Sequence, residues 1–186
     1  MTGGKMKKIF ACPISAQNYQ FWVHDDDWDM EEELPEPTVE DERKAVAQGY
    51  MSTKSWAKFN TRATNHAHWL EVYTSDTPPL PEDCDRLIAV PISIPSGTLA
   101  IHGPTQMPWG EEYPRLEITP GQYCLCLLAY NSGVDIQSLG DETAVRLLEH
   151  RDELEQYPEL ERYRIVLVLG NCPKKGVLYS AARPKA

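Results

Sequence analysis

Gln122–Tyr130 reads QYCLCLLAY, the most apolar run of the chain, and it follows the turn pair Pro120-Gly121. A run of this kind reads as a central strand of a sheet. Tyr163–Leu169, YRIVLVL, is a second core strand. His68–Thr74, HWLEVYT, alternates: Trp69, Glu71 and Tyr73 lie on one side, Leu70 and Val72 on the other. A period of two is that of a half-buried antiparallel strand. Working outward, Ile9–Cys12, Tyr19–His24, Ala45–Ser52 (AVAQGYMS), Trp56–Thr61 and Gly176–Ala181 also read as strands. Arg86–Ile94 and Thr98–His102 are joined by Pro95-Ser96-Gly97, which predicts a hairpin, and Pro91 predicts an edge or a bulge in it. Asp141–Glu155 is the one strong helical pattern, ended by Pro158. Many short strands and one late helix, without β–α–β alternation, predict an antiparallel β-sandwich with a helix at about 138–158. The expected core is Phe21, Val23, Leu70, Val72, Ile92, Cys124, Leu125, Leu127, Ile165, Leu167 and Leu169.

The length, 186 residues, fits a single domain (1–186) able to bury a core without metal or disulfide staples, with a short flexible tail at 183–186. Charge is its least ordinary property. Asp25 to Glu42, DDDWDMEEELPEPTVEDE, holds eleven carboxylates and no Lys or Arg. The whole chain has 28 acidic and 18 basic residues, so the rest of it, 17 acidic against 18 basic, is close to neutral. Concentrated charge of this sort is either a solvated acidic loop (25–42) or a surface that meets a basic partner. A pI of about 4.9 excludes direct binding to nucleic acid or an anionic membrane, both of which need clustered cations. The apolar stretch after Lys5, Lys7 and Lys8 is too short, and too interrupted by Pro13, for a signal peptide. The expected compartment is the cytoplasm, with all five cysteines (12, 84, 124, 126, 172) reduced and only Cys84 exposed.

No nucleophile elbow, P-loop or dinucleotide fingerprint is present, so no catalytic residue, metal site or cofactor is expected. His66 and His68, two apart on a strand, form the best metal-like pair; a third ligand would have to come from His24, His102 or a carboxylate. Trp22, Trp56 and Trp69 belong to strands and are expected in the core. Trp28 and Trp109 sit in loops among carboxylates, DDDWDMEEE and PWGEEY; they are either staples that cap the core or, by composition, a protein–protein hot spot. The candidate partner-binding residues are therefore Asp25, Asp26, Asp27, Trp28, Asp29, Glu31, Glu32, Glu33, Trp109, Glu111 and Glu112, with the aspartates expected on the surface.

The strand NYQFWV, the Gly-Tyr-led AVAQGYMS, the segment AVPISIPSGTLAIHGP and the Pro-Gly-led LEITPGQYCLCL succeed one another in an order that resembles the competence protein J family, over roughly residues 18–130. That resemblance implies a small bacterial β-sandwich of the nuclease-inhibitor or immunity type. The acidic insert and the segment after Tyr130 depart from it, so it transfers no inhibitory residue. Charge and resemblance together lead to the expectation of a non-catalytic protein that inhibits a cationic partner, a nuclease or toxin, by filling its groove with carboxylates. The alternative is a ligand- or carbohydrate-binding β-sandwich using exposed tryptophans.

Overall fold

The structure, a computed structural model, describes residues 5–28, 38–63, 67–81, 83–104 and 113–181. Its strands are β1 (Lys7–Ser15), β2 (Gln20–Asp25), β3 (Tyr50–Ser52), β4 (Trp56–Asn60), β5 (Ala67–Ser75), β6 (Arg86–Ile94), β7 (Thr98–His102), β8 (Arg115–Glu117), β9 (Gly121–Tyr130), β10 (Arg162–Leu169) and β11 (Gly176–Ser180). They form a six-stranded sheet, β1-β5-β10-β9-β6-β11, and a five-stranded sheet, β3-β4-β2-β7-β8. Alternate residues of both fill one core: Phe21, Val23, Phe59, Leu99 and Ile101 from the smaller sheet meet Leu70, Val72, Ile92, Leu125, Leu127, Tyr163, Ile165 and Leu167 from the larger. The molecule is a mainly β sandwich, as the alternation predicts. One pair, β5 with β10, is parallel; the remaining strand pairs of the two sheets are antiparallel.

The expected hairpin at 86–102 is not one. β6 pairs with β9 and β11, while β7 pairs with β2 and β8, so Pro95-Ser96-Gly97 carries the chain from one sheet to the other. A corner between sheets and a hairpin share the same turn residues; only the pairing partners tell them apart. Pro91 is paired with Cys124 on one side and lies beyond Ala89, where the β11 ladder ends, so its missing N–H falls on a locally free edge.

AVAQGYMS, expected as a strand, is helix over its first half: α1 runs Val39–Gln48 and only Tyr50–Ser52 is extended. Thr38 and Asp41 form a reciprocal capping box, and Gly49 closes the helix at φ +71°. Glu40, Asp41 and Glu42 thus occupy the first turn, where the helix dipole favours carboxylates, so the end of the acidic run is helix rather than loop. The late helix is α2 (Asp141–Glu149); it breaks at His150 and continues as a 3-10 turn, Arg151–Gln156. Ala144, Leu147 and Leu154 cover Ala67 and Trp69 on the outer face of the larger sheet.

Two core assignments change. Leu169, at the end of β10, is 61% exposed, and Cys124 is buried on the outer face of the sheet beside Cys126. Cys84 is buried rather than exposed, under the same outer-face cluster. Cys124 is bonded to Cys172, whereas five free thiols were expected; Cys12, Cys84 and Cys126 are free. The turn after β10 brings residue 172 back over β9, a proximity that 48 residues of intervening sequence conceal. The tail at 183–186 lies outside the described residues.

Candidate functional site

β2 is the central strand of the smaller sheet. Phe21 and Val23 point into the core, so Trp22 and His24 point out. Lys58 and Trp56 of β4 and His102 of β7 stand beside them in register. After Asp25 the chain turns, with the Trp28 amide donating to the Asp25 carbonyl at 3.0 Å, and Trp28 folds back over this outer face. Its ring stacks on Trp22 at 6.1 Å and 22°, and meets Trp56 at 5.9 Å and His24 at 5.1 Å. Trp22 and Trp56 are tilted by 41° at 5.0 Å. The three indoles therefore spend their faces on one another and present no flat open platform of the kind that stacks on sugars. Trp28 is half-buried, and its ring contacts hold the chain that follows β2 against this face.

The acidic residues that follow β2 divide into two kinds. Asp25, expected on the surface, is buried: Oδ1 accepts from the Asp27 amide at 3.0 Å, and Oδ2 accepts from the Ser96 amide at 3.0 Å and the Ser96 hydroxyl at 2.8 Å. It holds the corner between β6 and β7. Asp26 is half-buried and neutralised by Arg115, whose Nε donates to its two oxygens at 2.8 and 2.9 Å while the guanidinium lies over the Tyr113 ring at 4.1 Å. Asp27 is exposed. The first two carboxylates of the run are thus engaged, and Asp27 is the first exposed one. Asp29, Glu31, Glu32, Glu33, Trp109, Glu111 and Glu112 lie outside the described residues.

Sequence reasoning missed the histidine pair beneath Trp28. His24 Nδ1 donates to the Asp25 carbonyl at 2.6 Å, His102 Nδ1 donates to the Gly103 carbonyl at 2.9 Å, and the two Nε2 atoms are 2.8 Å apart. A carbonyl can only accept, so both Nδ1 atoms carry hydrogen, and the Nε2 contact is a hydrogen bond only when one proton sits between the rings. That proton would give the buried pair a positive charge, and it is resisted at both rings. Burial, opposed by the Gly103 carbonyl and aided by His24, pushes His102 down to about 4. Burial also lowers His24, against the Asp25 carbonyl and the Asp26 and Asp25 carboxylates. The outward parity of His24 on β2 was visible in the sequence, but its partner on β7 required the strand pairing. His68 is not a metal ligand in waiting on this face: it is buried at the far end of the core, with Nδ1 donating to the Glu161 carbonyl at 3.2 Å. His66 lies outside the described residues, and among the described residues no three metal-ligating side chains cluster.

A family model described as Competence protein J (ComJ) matches residues 17–148. Among solved structures, the chain is similar to ComJ from Bacillus subtilis, inhibitor of the DNA degrading activity of NucA: 14% identity, 89% of this chain and 99% of that chain covered, TM-score 0.59. A second, the product of crocagin biosynthetic gene J, shares 15% identity over 91% of this chain and 100% of that chain, at a TM-score of 0.48. No curated protein matches.

Proposed function

The chain belongs to the competence protein J family, and from that membership we propose that it is a non-catalytic, stoichiometric inhibitor or immunity protein of a cationic partner, a nuclease or toxin. The solved Bacillus subtilis protein with a similar fold inhibits a DNA-degrading nuclease. The observation that carries the reading is the anchored acidic segment. Asp25 and Asp26 are engaged by Ser96 and Arg115, which holds the start of the run against the sheet, with Asp27 exposed. A nuclease must offer its substrate a cationic groove, and a run of carboxylates competes for that groove with gains in both encounter rate and specificity.

Direct contact with nucleic acid plays no part in this reading, given the formal net charge of −10. Trp28, and Trp109 with Glu111 and Glu112, complete the proposed contact surface as aromatic anchors within an acidic rim.

The experiment is a pull-down from native lysate followed by association kinetics at low and high salt. The variant carries Asp27→Asn, Asp29→Asn, Glu31→Gln, Glu32→Gln and Glu33→Gln, leaving Asp25 and Asp26 in place. The expected result is the same partner, a slower on-rate and a flatter salt dependence. Unchanged kinetics would reduce the acidic run to a solvated loop.

A further inference from the structure

At one end of the sandwich, under α1, an open pocket of about 550 Å³ collects Lys58, Arg62 and Arg86 against a single carboxylate, Glu42. Three cations converging in a protein of net charge −10 need an account. Arg86 is the least ordinary of them. It starts β6 with the parity of Ile88 and Val90, so its side chain points between the sheets, and the residue is 8% exposed. Its guanidinium lies against Gly49: a Cβ built there would meet Arg86 Nη1 at 2.1 Å and Nη2 at 2.4 Å.

Among the described residues no ion pair or side-chain hydrogen bond engages that guanidinium. The neighbouring buried carboxylate does not serve it. Glu161 is taken by the amides of Arg62, Ala63 and Gly133, at 2.7, 2.5 and 2.5 Å, and by the Tyr163 hydroxyl. Burial, and next the charge of Arg62, lower the Arg86 pKa. A buried, unpaired arginine is destabilising, and a second arginine beside it adds repulsion. Such an arrangement suits an oxyanion, since the guanidinium fork matches phosphate in a bidentate way.

The rim supplies a second feature. Asn18 and Tyr19 both hold positive φ, +57° and +59°, a conformation uncommon for a tyrosine. It is fixed where the Tyr19 carbonyl accepts from the Thr61 amide at 2.8 Å, and it leaves the ring 52% exposed at the pocket. The volume lies within the roughly 300–1,000 Å³ of small-ligand sites. We propose that this pocket binds a small phosphate monoester carrying a planar ring, a nucleoside monophosphate in class, with its phosphate on Arg86 and Arg62 and its ring against Tyr19.

Calorimetric titration of the full chain with AMP, inorganic phosphate and adenosine tests this. One saturable AMP site, competed by phosphate and at least tenfold weaker for adenosine, is the expected result. Arg86→Met should abolish AMP binding at least tenfold and, by removing an unpaired buried cation, hold or raise the urea midpoint. Arg62→Gln and Tyr19→Ala, on the exposed rim, should each weaken AMP several-fold with the midpoint unchanged. The proposal is overturned by absence of saturable AMP binding at millimolar concentration, by AMP binding that survives Arg86→Met, or by a lowered midpoint in that variant, which would make Arg86 structural. An oligonucleotide that binds more tightly than AMP would overturn it too, reassigning the cations to nucleic acid. The pocket is lined by none of the proposed contact residues from Asp25 to Glu33, so its failure leaves the inhibitor reading standing.

Discussion

Replacing Asp25 with Asn changes one atom and no volume, yet the position decides whether the acidic segment is anchored. The carboxylate accepts three hydrogen bonds, from Asp27 N, Ser96 N and Ser96 Oγ, at 3.0, 3.0 and 2.8 Å. An Asn can keep the two Ser96 bonds only by turning its NH₂ toward the Asp27 amide, so two donors face each other. Three charge-assisted bonds become two neutral ones with a donor left over. At about 1.5–3 kcal/mol for each charge-assisted bond and about 1 for each neutral one, discounted for partial relaxation, the loss is about 2–4 kcal/mol. Asp27→Asn, on an exposed side chain, should stay within about 0.5 kcal/mol. Urea unfolding followed by far-ultraviolet circular dichroism compares the two, with Ser96→Ala and the double variant closing a cycle that should show coupling. An Asp25→Asn protein as stable as its parent, or a cycle without coupling, would refute the anchor.

Trp28→Ala removes the ring that bridges Trp22, Trp56 and His24 and should lower stability by about 1–3 kcal/mol in the same assay; if Trp28 also anchors the partner, dissociation becomes faster while association keeps its rate. Acid should weaken the fold through His102. Its folded value of about 4 lies below the ordinary 6.5, so the unfolded chain takes up the proton first, and the stabilisation present above about pH 6.5 is lost as pH falls toward 4. The full span is about 3 kcal/mol at about 1.4 kcal/mol per pH unit. His102→Gln should flatten that part of the stability profile between pH 7 and 4, and a variant that keeps the parent's slope would assign it elsewhere.

The alternation in His68–Thr74 and the apolar run at Gln122–Tyr130 made the sandwich and most of its core legible, because burial on one face of a strand leaves a period of two in the sequence. What the sequence withheld was pairing. Pro95-Ser96-Gly97 looks the same whether it closes a hairpin or crosses between sheets, and the parallel register of β5 with β10 joins strands about ninety residues apart, where no local pattern speaks. AVAQGYMS misled through its β-formers; the decisive signals were Thr38, Asp41 and Gly49, the two caps, read too far from the apolar residues they bracket. In the candidate site, the acidic run and Trp28 were visible, but the division of Asp25 and Asp26 from Asp27 was not. Whether a carboxylate is free depends on what stands opposite it, and Ser96 and Arg115 come from elsewhere in the chain.

The most direct test of the inhibitor reading is a titration. The nuclease encoded beside this chain, or in its absence a nuclease of the NucA type, is mixed at fixed concentration with increasing protein, and the cleavage of linear duplex DNA is followed by fluorescence. The account predicts that cleavage falls linearly to completion at one equivalent, that the endpoint is independent of DNA concentration, and that the variant lacking the charges of Asp27, Asp29, Glu31, Glu32 and Glu33 reaches it more slowly. Cleavage that continues unchanged in the presence of several equivalents of protein would contradict it.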